Sequence, residues 1–191
     1  MADAARANDR LLMEAFMYRY SDRTRQLEAV LASGQLGEIR HVNASFRFNL
    51  ASQDPTRLDP ALGGGALYDV GCYPINLLGL ITGGKKPISC QVEATLENGA
   101  DTNLSALLHY EDGLIAAIHC GFNAHPFISA EIVGTEGALI VPHTFLDLGG
   151  EIQLIKNQEV RSIPVAESNR YLEQVEDFSA AILEGRQPKL G

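Results

Sequence analysis

The sequence predicts an α+β fold, in which an open, predominantly antiparallel β-sheet carries helices on one face. Residues 88–163 resemble a succession of short strands joined by turn signals such as Asn98-Gly99 and Asp112-Gly113, and strands linked in this way pair antiparallel. An apolar stretch of helical length, residues 66–81, precedes these strands and follows three consecutive glycines. Two of the strands are apolar on both faces. Because helices can cover one face of the sheet, the other apolar face needs a second cover.

The N-terminal quarter of the chain predicts two helices and two strands. Residues 2–9 are alanine-rich and favour a helix, and the apolar run at residues 11–16 favours a short strand. Ser21 or Asp22 caps the next helix, which Gly34 ends. A strand follows at about 38–48, with Val42, Ala44, Phe46 and Phe48 on one face and His41, Asn43, Ser45 and Arg47 on the other.

The remaining strands follow the central helix. In the first of them, alternation predicts that Val92, Ala94 and Leu96 point inward. The chain closes with a helix at about 168–184, whose apolar residues are expected to lie on one stripe: Tyr171, Leu172, Val175, Phe178 and Ile182. The predicted strands are 88–96, 104–110, 114–120, 127–134, 138–141, 152–155 and 160–163.

The two strands joined at Asp112-Gly113 do not alternate between apolar and polar residues. A sheet with one wet face would alternate, so a second copy of the chain is the expected cover for the outer face. We therefore predict a homo-oligomer formed through the face of the strands around 88–97, 103–110 and 114–120. Strand register leaves open which residues point outward: Leu107 or Leu108, and Ile115 or Ile118.

Composition narrows the class of protein. The formal net charge of −9 argues against a surface for nucleic acid or anionic membrane, since both need a basic patch. No apolar run approaches the length of a transmembrane helix, and the first residues lack the apolar core of a signal peptide. We expect a small-molecule substrate and no nucleic-acid or membrane partner.

The cysteines and histidines predict neither disulfides nor a metal site. Three cysteines, without a C-x-x-C pair, indicate reduced thiols and a cytoplasmic protein. Cys72, beside the central motif, is either a reactive thiol or, as its type favours, a buried inert one. No metal is expected, because the spacings of four other candidates match no familiar zinc pattern: His119, Cys120, His125 and His143.

The strongest candidate site lies where residues 63–65, all glycine, open the central helix. Asp69 and Tyr73 are four residues apart and share one helical face, so a carboxylate and a phenol meet at the start of a buried helix. Each has a structural alternative. Asp69 is also a natural helix N-cap, and Tyr73 is equally a buried phenol hydrogen-bonded to a neighbour.

The stretch Gly63-Gly64-Gly65-Ala66-Leu67-Tyr68-Asp69-Val70-Gly71-Cys72-Tyr73-Pro74 resembles a signature of the Gfo/Idh/MocA oxidoreductases. Residues 14–20 and 34–39 also resemble that family, and the tyrosine in place of a histidine is similar to its glucose–fructose oxidoreductase and dihydrodiol dehydrogenase branch. The resemblance implies that residues 21–191 are the C-terminal α+β domain, which carries substrate and dimer contacts. Residues 1–20 would then be a remnant, helix plus strand, of a Rossmann domain that is otherwise absent.

The resemblance also implies roles for residues. In the family, NAD or NADP is held by the Rossmann domain, and a lysine of a Glu-Lys-Pro motif takes part in catalysis. This chain has no Glu-Lys-Pro and no G-x-G-x-x-G after a strand, so we expect it to bind no cofactor and to be inactive alone. The implied catalytic residues are Asp69 and Tyr73, the implied cofactor contacts are Tyr18 and Arg19, and the candidate substrate contacts are Arg47, Gly64 and Gly65.

Two functions from different classes follow. The first is the substrate-binding and dimerisation part of an NAD(P)-dependent oxidoreductase acting on a sugar, polyol or cyclic diol. The second is a non-catalytic oligomerising or binding module derived from that domain. For Tyr18 and Arg19 the alternative is solvated surface, and for Arg47 it is a surface ion pair.

Overall fold

A computed structural model describes residues 1–50 and 55–190. Eight strands form a single sheet in the spatial order β2-β3-β4-β1-β5-β6-β7-β8, and only β1 and β4 pair parallel. The predicted α+β class with an open, mostly antiparallel sheet is confirmed. The strands are β1 (Ile39–Asn49), β2 (Ser89–Glu97), β3 (Ala100–His109), β4 (Ile115–Gly121), β5 (Asn123–Gly134), β6 (Ala138–Pro142), β7 (Gly150–Lys156) and β8 (Glu159–Val165).

The helices that begin at Asp22 and Cys72 pack against this sheet. The hydroxyl oxygen of Ser21 accepts from the Thr24 N–H at 3.3 Å and caps the helix that begins at Asp22, as predicted. Asn169 caps the last helix in the same way, through the N–H of Leu172 at 3.0 Å. The helices are α1 (Ala2–Ala7), α2 (Asp22–Ala32), α3 (Pro55–Leu58), α4 (Cys72–Thr82) and α5 (Arg170–Glu184), with 3₁₀ turns at Met17–Tyr20 and Pro60–Leu62 and a π turn at Leu67–Gly71.

Alternation along the central strands separates a helix-covered face from an open face. In β1, Val42 and Ala44 are buried beneath the helices, whereas His41 and Asn43 lie on the open face. The same alternation settles the register that the sequence left open. Leu107 and Ile115 point outward, 47% and 38% exposed, and their alternatives Leu108 and Ile118 point into the core.

The expectation that β2 would bury Val92, Ala94 and Leu96 is wrong, because every residue of β2 is exposed. The strand lies at the edge of the sheet and has β3 as its one neighbour. Val92 pairs with Ala106 and Ala94 pairs with Leu104, so these side chains do point toward the helix side. No described helix extends far enough to cover them, and Val92 remains 52% exposed.

The apolar stripe of α5 does not face the core. Tyr171, Leu172, Val175 and Ile182 are exposed and Phe178 is half-buried, whereas Gln174 and Ala181 are the buried residues of the helix. The helix packs mainly against the 3₁₀ turn Met17–Tyr20 and not against the sheet. Its amphipathic pattern is real, but the apolar side faces away from the core.

The strand expected over residues 11–16 does not form. A strand needs a neighbour for its backbone hydrogen bonds, and the sheet edges β2 and β8 lie elsewhere. Phe16, at the end of this segment, still packs edge-on against Tyr18 and Tyr73. Across the described ranges, no helix combines the length and apolarity that crossing a bilayer requires.

Candidate functional site

The π turn Leu67–Gly71 and the first turn of α4 form the centre of the candidate site. The N–H of Leu67 donates to the Asp101 carboxylate, on β3, at 2.7 Å, which provides a partner for a first-turn donor. Gly65 allows this approach, because its φ is +129° and a Cβ there would lie 2.1 Å from Asp101 Oδ1. Asp101 therefore caps the turn, and the alternative that Asp69 is the N-cap does not hold, since Asp69 lies inside the turn.

Tyr73 lies at the second position of α4, half-buried among aromatic rings. The rings of Phe16, Phe46 and Phe145 have centroids 5.5, 5.3 and 5.6 Å from that of Tyr73. Edge-to-face and tilted pairs at these separations are favourable and restrict the tyrosine to one orientation. The phenol ring is thus held rigidly among these side chains.

The hydroxyl of Tyr73 donates to the thioether of Met17 at 3.5 Å. Thioether sulfur is a weak acceptor, so a stronger oxygen acceptor would displace it. Burial, followed by the neighbouring Cys72 and Tyr171, raises the pKa of Tyr73 above its usual value. The phenol is consequently protonated at neutral pH and can donate a proton.

Asp69 is held by an ion pair. Its Oδ2 lies 2.9 Å from Nε of Arg57, and the guanidinium of Arg57 lies 5.7 Å from the centroid of Phe48. The contact is an ion pair without aligned hydrogen-bond geometry. Both side chains are about a third exposed, so the pair adds no more than about 1 kcal/mol to stability. Its effect is to fix the carboxylate one turn before Tyr73.

Tyr18 and Arg19 converge on Asn76, one turn after Tyr73 on α4. The Tyr18 hydroxyl donates to Asn76 Oδ1 at 2.7 Å, and an Arg19 guanidinium nitrogen lies 3.4 Å from the same oxygen. Arg19 also pairs with Glu28 at 3.4 Å. Tyr18 is fully buried and burial raises its pKa well above the usual value, so neither residue is solvated surface. Together they fix the orientation of α4.

A cavity of about 360 Å³ opens beside this helix face. Its walls combine apolar side chains with one amide and one carboxylate, which suits a small polar molecule with an apolar side. It is lined by Glu14, Phe16, Leu67, Tyr68, Cys72, Ile75 and Asn76.

A family model described as the GFO/IDH/MocA C-terminal domain matches residues 24–140. The chain belongs to the Gfo/Idh/MocA family. The resemblance drawn from the Gly63–Pro74 motif is confirmed by this match.

Two curated Gfo/Idh/MocA relatives show the extent of the similarity. The chain is 30% identical over 183 residues to D-xylose 1-dehydrogenase (NADP(+)) 2 of Haloferax volcanii, covering 94% of this chain and 56% of that protein. It is 33% identical over 138 residues to trans-1,2-dihydrobenzene-1,2-diol dehydrogenase of Homo sapiens, covering 72% and 41%. The chain spans about half the length of the curated relatives it matches.

Solved structures of the family share the fold. An aldose-aldose oxidoreductase from Caulobacter crescentus, complexed with glycerol, superposes with a TM-score of 0.91 at 21% identity, over 100% of this chain and 59% of that one. A 3-ketoreductase from Actinomadura kijaniata, complexed with NADP and TDP-benzene, superposes with a TM-score of 0.88 at 26% identity, over 98% and 59%.

The glycine turn does not fit a cofactor phosphate. A Cβ at Gly64 would lie 2.8 Å from backbone atoms of Arg57 and Asp59, so the turn is closed against its own chain. At Gly65 the adjacent space is filled by the carboxylate of Asp101, which would repel an anion. The two glycines thus shape the turn itself. Their contact with substrate stays a prediction.

Arg47 is not brought together with Tyr73. It lies on the open face of β1, where its Nε donates to Ser45 Oγ at 3.0 Å. His119 is nearby on β4, and burial together with the charge of Arg47 lowers the pKa of that histidine. Because the sheet separates Arg47 from α4, a substrate bound at Tyr73 would reach it only around an edge. Its role in substrate binding also stays a prediction.

The two cysteines nearest the site have the properties of inert thiols. Burial and the charge of Asp69 raise the pKa of Cys72, and burial raises the pKa of Cys120 to about 12. Within residues 1–50 and 55–190, no cluster of three or more potential ligands that would hold a metal ion is present.

Sequence reasoning missed three residues that build the site: Arg57, Asn76 and Asp101. Asn76 had a usable signal, because it is three residues after Tyr73 and helical spacing places both on one face. Asp101 is 34 residues from its partner Leu67, and no local pattern marks that contact. Arg57 lies in the four-residue helix α3 before the glycine turn, and no periodic pattern in the sequence marks so short a helix.

Proposed function

We propose that this chain is the substrate-binding and dimerisation part of an NAD(P)-dependent oxidoreductase that acts on a sugar, polyol or cyclic diol. The curated relatives carry names of sugar and dihydrodiol dehydrogenases, and one of those names specifies NADP. A family member solved with NADP, at 26% identity, supports the same cofactor class. The family match covers the C-terminal domain, which is the substrate side.

The observation that carries the proposal is the Tyr73 hydroxyl, held in an aromatic box and donating to a thioether alone among the described partners. A substrate oxygen placed beside this hydroxyl would accept that hydrogen bond in preference to Met17. Tyr73 then holds or moves the proton on the substrate oxygen that gains or loses carbonyl character. Asp69, fixed by Arg57, accepts from a neighbouring substrate hydroxyl and sets its orientation.

The cofactor belongs to a separate nucleotide-binding domain in this proposal. The described residues offer no glycine-rich strand–helix turn for a pyrophosphate, and the turn at Gly64 and Gly65 is closed. Tyr18 and Arg19 act indirectly, by orienting Asn76 and α4. Whether NAD or NADP is used would be determined in that other domain.

Dimerisation is assigned to the open face of the sheet. Leu107, Ile115 and Phe127 are exposed there beside half-buried Ala117, although the opposite face of the same strands is core. Covering such a face stabilises a dimer by about 25 cal/mol per Å² of apolar surface, less the cost of association.

The test is Tyr73→Phe in the enzyme that carries its nucleotide-binding domain. Removal of the proton-transferring hydroxyl should lower kcat by about 10²–10⁴-fold and leave KM within a few-fold. Tyr20→Phe is the matched control, because Tyr20 is a buried phenol whose hydroxyl donates to Asp177 at 2.8 Å outside the site. A Tyr73→Phe enzyme within about twofold of wild type would refute the assignment of proton transfer to Tyr73.

A further inference from the structure

A second cavity, also of about 360 Å³, lies between α4 and the β2–β3 edge of the sheet. Unlike the cavity beside Tyr68 and Asn76, its walls are almost wholly aliphatic. Much of the wall consists of Ile75, Leu78, Val92, Leu104, Ala106 and Ile118. The cavity exists because β2 extends beyond the helices, and for the same reason Val92 is exposed.

This second cavity is a groove that follows β3 and is polar at one end. Leu104, Ala106, Leu108 and Tyr110 all line it, and the seven residues from Leu104 to Tyr110 span about 20 Å at strand spacing. The end near Leu104 is apolar. At the other end Tyr110 meets the segment before β2, which brings Lys85 and Lys86 to the groove.

Tyr110 provides a hydroxyl at this end of the groove. Only 3% of the whole residue is exposed, but its hydroxyl oxygen is not fully buried, and no group within residues 1–50 and 55–190 hydrogen-bonds it. The hydroxyl can therefore donate to a ligand in the groove. Burial and then Asp112 raise the pKa of Tyr110, which keeps the phenol a donor at neutral pH.

The two lysines differ in their pairing. Lys85 pairs with Asp112, with 2.6 Å between Nζ and Oδ2. Lys86 is exposed, and the described carboxylates leave it without an ion pair. An uncompensated cation at the mouth of an aliphatic groove contrasts with a chain whose net charge is −9. The groove is therefore complementary to a molecule with an apolar body and one negative end.

We propose that this groove binds a small amphipathic carboxylate, such as a medium-chain aliphatic acid anion. Its chain lies along Leu108, Ala106 and Leu104, and its carboxylate meets Lys86 and accepts from the Tyr110 hydroxyl. The volume falls in the range of about 300–1,000 Å³ that is usual for small-molecule sites. This site goes beyond the proposed oxidoreductase function and does not depend on it.

The test uses the folded chain and decanoate, with decyltrimethylammonium as the control of opposite charge, both below their micelle-forming concentrations. Calorimetry should show saturable 1:1 binding of decanoate and at least about tenfold weaker binding of the cation. Lys86→Glu should weaken decanoate binding by about tenfold or more, and Tyr110→Phe by a few-fold, because each removes a polar contact to the carboxylate.

Gly79→Leu tests the position of the ligand. Gly79 lines the groove from α4, and a Cβ there would meet no atom within 4 Å. The variant should fold, since leucine favours a helix more than glycine does, and should block the groove. Ala29→Leu is the matched control, because it adds the same side chain to an exposed position of α2.

Cys90 provides a second readout, because it lines the groove and is exposed. Iodoacetamide should label Cys90 before the less exposed Cys72 and Cys120, and decanoate should slow that labelling in wild type and in Ala29→Leu. No saturable binding, equal binding of the cation, or unchanged affinity in Gly79→Leu would each overturn the proposal. A decanoate-induced change of mass by light scattering would instead assign the groove to a contact between copies of the chain, and would also overturn it.

Discussion

Gly65→Ala should destabilise the fold more than any ordinary glycine-to-alanine change, because two independent penalties meet at this position. The φ of +129° lies where an L-residue is strained, at a cost of about 1–3 kcal/mol. The new Cβ would also lie 2.1 Å from Asp101 Oδ1, so the carboxylate must move, at a cost of about 1–3 kcal/mol for overpacking. The sum predicts a loss of about 2–6 kcal/mol in the free energy of unfolding.

Two further variants separate these penalties. At Gly34 φ is +69°, and an added Cβ would meet no atom within 4 Å. Gly34→Ala therefore measures backbone strain alone, with an expected loss of about 1 kcal/mol in the free energy of unfolding. Asp101→Ala removes the cap of Leu67 at about 0.5–2 kcal/mol, and in that background Gly65→Ala should lose its clash. The double-mutant cycle should therefore report a coupling of about 1–3 kcal/mol between Gly65 and Asp101.

Urea unfolding followed by circular dichroism provides the free energies, and thermal unfolding provides the midpoint. For a chain of 191 residues, each kcal/mol shifts Tm by about 2–4 °C, so Gly65→Ala should lower Tm by about 4–24 °C. A Gly65→Ala protein no less stable than Gly34→Ala, or a cycle without coupling, would show that Asp101 does not hold the π turn as described.

Two other predictions concern binding and association. Calorimetry of this chain alone with NAD and with NADP should show no binding, because it contains no dinucleotide fingerprint, and micromolar binding of either would mean that the cofactor site has been misplaced. Replacing both Leu107 and Ile115 with glutamate should convert a dimer to a monomer and leave the helix content unchanged. Light scattering at micromolar concentration measures the mass. The control Leu183→Glu, at an exposed position of α5, should leave the dimer intact. A wild-type chain that is already monomeric would contradict the sheet-face assignment.

Local signals predicted most of the secondary structure. The alternation of residues 38–48 placed β1 within one residue of its observed bounds, Ile39–Asn49. Asn98 and Gly99 have φ values of +52° and +88°, which the turn signal requires. The helix cap at Ser21 was also predictable, because the side-chain oxygen accepts from an N–H group in the first turn of the same helix, which is a local contact.

The same signals failed wherever the answer depended on a distant neighbour. Alternation indicates which side of a strand a residue occupies, but not whether anything covers that side, and for this reason Val92 and Leu96 were wrongly assigned to the core. The apolar stripe of α5 likewise did not reveal its neighbour, because the helix packs on the Met17–Tyr20 turn and leaves most of the stripe exposed. The parallel pairing of β1 with β4 joins strands about seventy residues apart, and no local turn signal in the sequence predicts it.

At the site, spacing identified Asp69 and Tyr73 as neighbours, but not what holds them. Leu67 connects the two regions that matter most: its N–H is capped by Asp101 of β3, and its side chain lines both cavities. The start of the Tyr73 helix is therefore anchored to the same strand that forms the floor of the aliphatic groove. A change in the β2–β3 hairpin that moves Asp101 should therefore also move the turn that leads into the Tyr73 helix, because the Leu67 N–H donates to Asp101. Residues 63–74 alone could not reveal this dependence.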